Sequence, residues 1–224
     1  MRVALISDIH ANHHALTALS GSLDSADRVL CLGDLVGYYC EVNEVIDRLR
    51  EMEAICVRGN HDQFLLTGVP ESASEHVRWG IEHAAGSISE DNLAYLWRSP
   101  LSLGIELAGR RILLTHGSPW RPLEDYLYAD NPELDRLAHF DYDVIGLGQT
   151  HRPLSRDDSR PMVINPGSVG QSRHRRAVAC AALLDTASLT VTHVEVQYDP
   201  DPVMALARAN GAGEWIAKHL AAGP

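Results

Sequence analysis

The sequence predicts an α/β fold: two stacked, mixed β-sheets flanked by helices. Three observations predict it. The first sixty residues alternate short apolar runs with helical periodicity, the pattern of parallel strands joined by crossover helices. The second half is rich in strands and hairpins, with few helices to separate them. Polar clusters close the apolar runs, and open α/β sheets gather their loops at that carboxyl edge.

The elements follow in order. Val3–Ser7 is an apolar run ended by Asp8, which reads as a buried strand. His14–Leu19 has helical spacing and is expected to close at Gly21. Arg28–Leu32 reads as a second strand, ended by Gly33-Asp34. Val42, Val45, Ile46 and Leu49 fall on one face of an amphipathic helix. Ala54–Val57 is a third strand, ended by Arg58-Gly59-Asn60-His61-Asp62. The stretch 63–99 is expected to be mostly helical, with Ser72 and Ser89 as caps, because Glu75 stands three residues after Ser72. A hairpin is expected over 101–115, turning at Gly109-Arg110. Tyr142–Leu147 and Met162–Ile164 are further strands. Ala177–Leu184 and Leu189–Val196 pair around Asp185–Ser188, and 201–220 is a surface helix. No linker, repeat or low-complexity tract interrupts this order, so one domain over 1–224 is expected, with a helical insert at about 63–99 and a C-terminal helix at about 201–220.

Composition narrows the function. The 224 residues carry 19 Lys+Arg against 30 Asp+Glu, a formal charge of -11. Such a chain repels nucleic-acid backbones, so non-specific nucleic-acid binding is not expected. No apolar run reaches the ~18 residues of a membrane span, and the start lacks the apolar stretch of a secretory signal; a cytoplasmic location is expected. Cys31, Cys40, Cys56 and Cys180 are too scattered for a disulfide framework or a CxxC zinc site and read as reduced structural thiols.

Histidine is the informative residue, with 12 in the chain. The strand ends read Asp8-Ile9-His10, Gly33-Asp34, Gly59-Asn60-His61-Asp62, His116-Gly117 and Gly148-Gln149-Thr150-His151. Each offers carboxylate, imidazole or amide groups at one predicted sheet edge. Hard oxygen donors mixed with imidazole suit Mn(II), iron, zinc or nickel, not a thiolate site. A pair of such ions can clamp the attacking and leaving oxygens of a phosphoryl displacement.

As an ordered set, these motifs resemble those of the calcineurin-like metallophosphoesterases. That family's pattern is Asp-x-His, Gly-Asp-x-x, Gly-Asn-His-Asp/Glu, His-Gly and Gly-His-x-His. Here the pattern spans Asp8–His10, Gly33–Gly37, Gly59–Asp62, His116–Gly117 and Gly148–His151, followed by Asn165-Pro166-Gly167-Ser168. The resemblance covers about residues 1–196 and is strongest to the small bacterial and archaeal phosphodiesterase-like branch. It implies a four-layer αββα sandwich and a metal-dependent hydrolase of phosphate esters, with phosphodiesters favoured.

Carried over position by position, Asp8, His10 and His151 hold a first divalent ion, Asp34 bridges, and Asn60 and His116 hold a second. Mn(II) is the favoured metal. A hydroxide between the ions is then the nucleophile. His61 faces the substrate phosphate, and Asp62 is expected to fix its tautomer by a hydrogen bond. Gln149 stands where the family usually has His, and its amide is the weaker donor. Ala11 stands where relatives often have Gly. The substrate implied is a small phosphate ester, a nucleotide among the candidates. Alternatives within the family are a phosphomonoesterase or protein phosphatase, or a dinucleoside polyphosphate hydrolase. A non-catalytic scaffold of the same fold ranks lower because His61 is kept, and a nuclease ranks lower because of the acidic charge. Substrate and oligomeric state are not readable from the motifs; a homo-oligomer is an option.

Other residues have plainer readings. Arg58 is a candidate phosphate contact through its planar fork, with a salt bridge near the sheet edge as the equal alternative. Arg173-His174-Arg175-Arg176 is the only concentrated basic run; it could attract an anion, although a solvated turn is the simpler reading. Tyr38 and Tyr39 read as ordinary buried aromatics. His13 and His14 read as surface residues at a helix start, and His76, His83, His139, His193 and His219 are assigned no function.

Overall fold

A computed structural model describes residues 1–157, 160–216 and 220. Strand β1 (Arg2–Ile6) leads into helices α1 (His13–Ala18) and α2 (Ser20–Leu23), then β2 (Arg28–Cys31), α3 (Val42–Glu51) and β3 (Ile55–Cys56). Helices α4 (Asn60–Thr67), α5 (Glu75–Ser87) and α6 (Glu90–Arg98) follow, then the hairpin β4 (Ser102–Leu107) and β5 (Arg110–Thr115). A 3-10 segment at Pro132–His139 precedes β6 (Val144–Gly146), β7 (Pro153–Arg156) and β8 (Met162–Pro166). The hairpin β9 (Val178–Asp185) and β10 (Thr190–Gln197) and helix α7 (Asp201–Ala209) complete the order.

The strands form two five-stranded sheets, ordered β10-β9-β1-β2-β3 and β4-β5-β6-β8-β7. In the first, β1, β2 and β3 run parallel, with β3 at the edge and the antiparallel β9–β10 hairpin on the other side. In the second, β5, β6 and β8 run parallel at the centre, with β4 and β7 antiparallel at the edges. This is the expected two-sheet sandwich, and the alternation of side chains explains its layering. Val3 and Leu5 of β1 pack with Leu30, Ile112, Leu114, Val144 and Ile164 between the sheets. Ala4 and Ile6, one residue out of phase, face Leu16, Val42, Val45, Ile46 and Leu49 of α1 and α3. A strand buried on both faces reads as a continuous apolar run, which is why β1 and β2 are legible. On the far side of the second sheet, Leu113, Ile145 and Val163 are covered by Leu134 and Leu137 of the 3-10 segment.

The structure departs from expectation at several boundaries. Gly21 lies within α2 and does not end a helix. The cap of α5 is Ser74, not Ser72; Ser89 does cap α6, accepting from the Asn92 N–H. The β4–β5 turn is Ala108-Gly109, with φ of 48° and 73°, one residue earlier than expected. Two successive positive φ values are what a tight two-residue hairpin needs. Strand β7 was not expected: it is short, begins with Pro153 and pairs only with β8 at the sheet edge. Helix α7 ends at Ala209, ahead of Gly211 at φ 85°. Of the expected helix over 201–220, residues 217–219 lie outside the described residues. Among the described residues, no helix is long and apolar enough to cross a membrane.

Candidate metal centre

The parallel strands of each sheet deliver their carboxyl ends to one place. Asp8 and His10 follow β1, Asp34 follows β2, Asn60 and His61 open α4 after β3, His116 follows β5, and Gln149 and His151 follow β6. Asp8, His10, His116 and His151 are buried, as is Asp34.

Their ligating atoms converge in two sets. In the first, His151 Nε2 lies 3.2 Å from Asp8 Oδ1 and 3.1 Å from His10 Nε2. In the second, His116 Nε2 lies 3.3 Å from Asp34 Oδ2 and 3.2 Å from Asn60 Oδ1. Asp34 Oδ2 is also 3.7 Å from His10 Nε2, and Asp8 Oδ1 is 3.8 Å from His116 Nε2. The two carboxylates therefore stand between the sets.

The imidazoles are oriented from behind. His10 Nδ1 meets Val36 O at 3.1 Å, His116 Nδ1 meets Leu32 O at 2.7 Å, and His151 Nδ1 meets Gln171 O at 2.6 Å. A carbonyl only accepts, so each Nδ1 carries the hydrogen and each Nε2 faces the centre. The Nε2 atoms of His10 and His151 then face one another at 3.1 Å. Both oxygens of the fully buried Asp8 carboxylate lack a hydrogen-bond partner. A buried carboxylate without a hydrogen-bond partner is costly alone, and oxygens and imidazole nitrogens converging on one place suit bound cations, so the residues present fit a metal centre.

The charges follow from this crowding. Burial works to raise the Asp8 carboxyl, but the His151 and His116 imidazoles outweigh it and hold it at about 2. Asp34 is likewise depressed, burial being overcome by His116 and His61. Burial would lower His116, yet Asp34 lifts it to about 9. Burial pushes His10 well down and His61 down to about 4.

Backbone strain accompanies the centre. Asp8, His10, Ala11, Asp34, Gln149 and His151 all have φ between 54° and 68°, the left-handed region that costs an ordinary residue roughly 1–2 kcal/mol. Ala11, standing where relatives often have Gly, carries this cost with its own Cβ. The loops hold themselves by mutual bonds: Asp8 N–H donates to Gly33 O, His10 N–H to Asp34 O, and Gly148 N–H to His116 O. Gly59 is required by close approach, since a Cβ there would lie 2.1 Å from Asp34 Oδ1.

One expectation needs correction. Asp62 does not fix the His61 tautomer. Its carboxylate accepts the N–H groups of Asp34, Gly59, Leu35 and Val36, while His61 Nδ1 is buried without a hydrogen-bond partner. Burial and the nearby Asp34 push the Asp62 carboxyl up, against those four donors. Asp62 is thus the anchor of the 34–36 loop. Arg58, beside the Gly59–Asp62 motif, donates its N–H to Pro100 O, and its Nε is buried without a hydrogen-bond partner.

Other placements are plain. His61 packs edge-on against His10, with centroids 4.7 Å apart, and its Nε2 is 4.0 Å from Asp34 Oδ2. Gln149 Nε2 makes a long 3.4 Å bond to Leu123 O, and its Oε1 is buried without a partner. Tyr38 is buried, as expected, but against the site: its ring centroid is 4.5 Å from that of His10 and 4.8 Å from that of His61. Residues around the Asn-Pro-Gly-Ser motif also serve the centre. Asn165 Nδ2 donates to Gly148 O, Ser168 Oγ donates to Asp8 O, and Gln171 supplies the carbonyl behind His151. The motif was visible in the sequence; its supporting role was not.

Comparison with known proteins agrees with this geometry. A metallophosphoesterase from Sphaerobacter thermophilus superposes with a TM-score of 0.87 at 28% identity, covering 100% of this chain and 99% of that one. A hypothetical protein from Pyrococcus horikoshii OT3 also gives 0.87 at 23% identity, covering 98% and 97%. An uncharacterized protein of Methanocaldococcus jannaschii is 29% identical over 97% of this chain and 96% of its own. Residues 1–189 match the calcineurin-like phosphoesterase superfamily domain. With the sandwich and converging Asp/His clusters that its motifs imply, the chain belongs to that superfamily.

Proposed function

We propose that this protein is a phosphodiesterase working with two divalent cations. One observation carries the reading: Asp34 Oδ2 stands within 4 Å of ligand nitrogens from both sets, 3.7 Å from His10 and 3.3 Å from His116. Asp8, His10 and His151 would hold one cation, Asn60 and His116 the other, with Asp34 shared and Gln149 a weaker donor through its partnerless amide oxygen. Mn(II) suits this mix of oxygen and imidazole. Two bound cations would supply positive charge that activates water and offsets the charge growing on phosphate oxygens.

The protein's own groups do the rest. The carbonyls of Val36, Leu32 and Gln171 keep each imidazole aimed at the centre. His61 stands beside both sets, and its burial leaves it neutral at pH 7 before substrate arrives. A phosphate anion next to it raises its proton affinity. His61 can then donate a hydrogen bond, and finally a proton, to the departing alkoxide.

The test loads metal-free protein with Mn(II), counts metal per chain, and compares bis-p-nitrophenyl phosphate with p-nitrophenyl phosphate. Two metals per chain and faster diester turnover are expected. His61→Ala should keep the metals and lose roughly 10²–10⁴ in turnover. One metal and no turnover would sink the proposal.

A further inference from the structure

We propose that Arg173 is a substrate-binding residue, its guanidinium gripping the non-reacting oxygens of the phosphate ester at the mouth of the metal centre. This rests on the phosphoesterase reading above. The basic run that reads in sequence as a solvated turn is divided in the structure. His174 Nε2 and Arg175 Nη1 are both taken up by Glu195, at 2.8 and 2.7 Å. Arg173 is not: no carboxylate among the described residues pairs with it.

Its backbone and side chain face the centre from two directions. The Arg173 N–H donates to His151 O at 3.4 Å, which seats the residue directly beside a proposed ligand. Its positive charge reaches the Tyr38 hydroxyl and works to lower that phenol against its burial, and the Tyr38 ring lies against those of His10 and His61. Its charge also works to lower the Tyr126 phenol against burial. The guanidinium therefore stands near two phenols, one of which lies against His10 and His61.

A guanidinium has five N–H donors in a planar fork. An uncompensated cation that stays exposed beside a metal centre, on a chain of charge -11, is matched to an anion. The fork's geometry fits two phosphate oxygens at once, which a lysine ammonium cannot copy.

The experiment uses the full chain loaded with Mn(II): wild type, Arg173→Gln, Arg173→Lys, and Arg175→Gln as a nearby charge control. It measures metal per chain, thermal stability, KM and kcat for bis-p-nitrophenyl phosphate, and calorimetric binding of inorganic phosphate. Arg173→Gln is expected to keep its metals and stability while raising KM and the phosphate Kd by about tenfold or more. Arg173→Lys should recover part of that loss, and Arg175→Gln should match wild type. An active wild type with an unchanged Arg173→Gln overturns the role of Arg173 and leaves the phosphoesterase reading standing. A metal-loaded wild type that neither turns over ester nor binds phosphate overturns both.

Discussion

Asp62→Asn is the substitution that separates the two roles considered for this residue. The carboxylate accepts four buried backbone N–H groups, Asp34 and Gly59 on Oδ2, Leu35 and Val36 on Oδ1, at 2.9–3.1 Å. An asparagine has one oxygen, so at best two of the four survive, and its amide N–H₂ is turned toward the other two donors. Each buried N–H left without an acceptor costs about 1–3 kcal/mol, or roughly 2–6 for the pair. Removing a buried charge beside Asp34 returns part of this, leaving a net loss of about 3 kcal/mol. The loop that loosens is the one that holds Asp34 at φ 55° and supplies the Val36 carbonyl behind His10. Metal affinity should therefore fall although Asp62 supplies no ligand atom of its own. Urea unfolding of the metal-free protein and Mn(II) titration would measure both. Stability within ~0.5 kcal/mol of wild type, unchanged metal affinity and lower turnover alone would refute the anchor role and restore a direct link to His61.

Further outcomes follow from the same geometry. In the metal-free protein His116 rises from 6.5 to about 9 beside Asp34. A raised folded pKa gives stability that is complete below pH 6.5 and lost as pH climbs through 9; unfolding measurements between pH 7 and 9.5 should show a loss of up to about 3 kcal/mol, absent once metal is bound. Gly37 has φ 95°, and a Cβ there would lie 2.3 Å from His61 Nδ1. Gly37→Ala should displace the His61 ring and cut kcat by tenfold or more at full metal loading; a normal kcat would contradict the placement of His61. Gln149→His should tighten the weaker metal site, seen as a lower Kd for the second Mn(II), because imidazole is the better donor. An unchanged second Kd would show that position 149 is no ligand.

The fold was legible where burial is two-sided. Strands β1 and β2 are short apolar runs because one face meets the second sheet and the other meets helices, so no polar residue interrupts them. Strand β7 was missed because nothing local marks it. Its residues Pro-Leu-Ser-Arg become a strand only by pairing with β8 on a sheet edge, where a proline at the first position is tolerated. The Ala108-Gly109 turn was misplaced by one residue because the strands' register against each other, Leu107 opposite Arg110, decides the turn, and register is not a property of the turn residues.

The same division runs through the centre. The groups that would face a cation must be carboxylate, imidazole or amide, so chemistry restricts residue type and the motifs stand out. The groups that aim them are mostly main chain: the carbonyls of Leu32, Val36 and Gln171, and the N–H donors on Asp62. Any residue supplies those, so their positions carry no compositional mark. The left-handed backbone at Asp8, His10, Asp34 and His151 is equally silent, since only glycine advertises such a conformation. Its cost, roughly 1–2 kcal/mol per residue, has to be offset by the sheets that end there. The parallel strands of both sheets therefore do two things at once: they stabilise the chain, and they hold five strand ends in a shape that no isolated loop would adopt. Arg173 belongs to the part that only the folded chain reveals. What sets it apart from Arg175 is not its type but which partner lies within reach, a phenol set against His10 and His61 for one and a glutamate for the other.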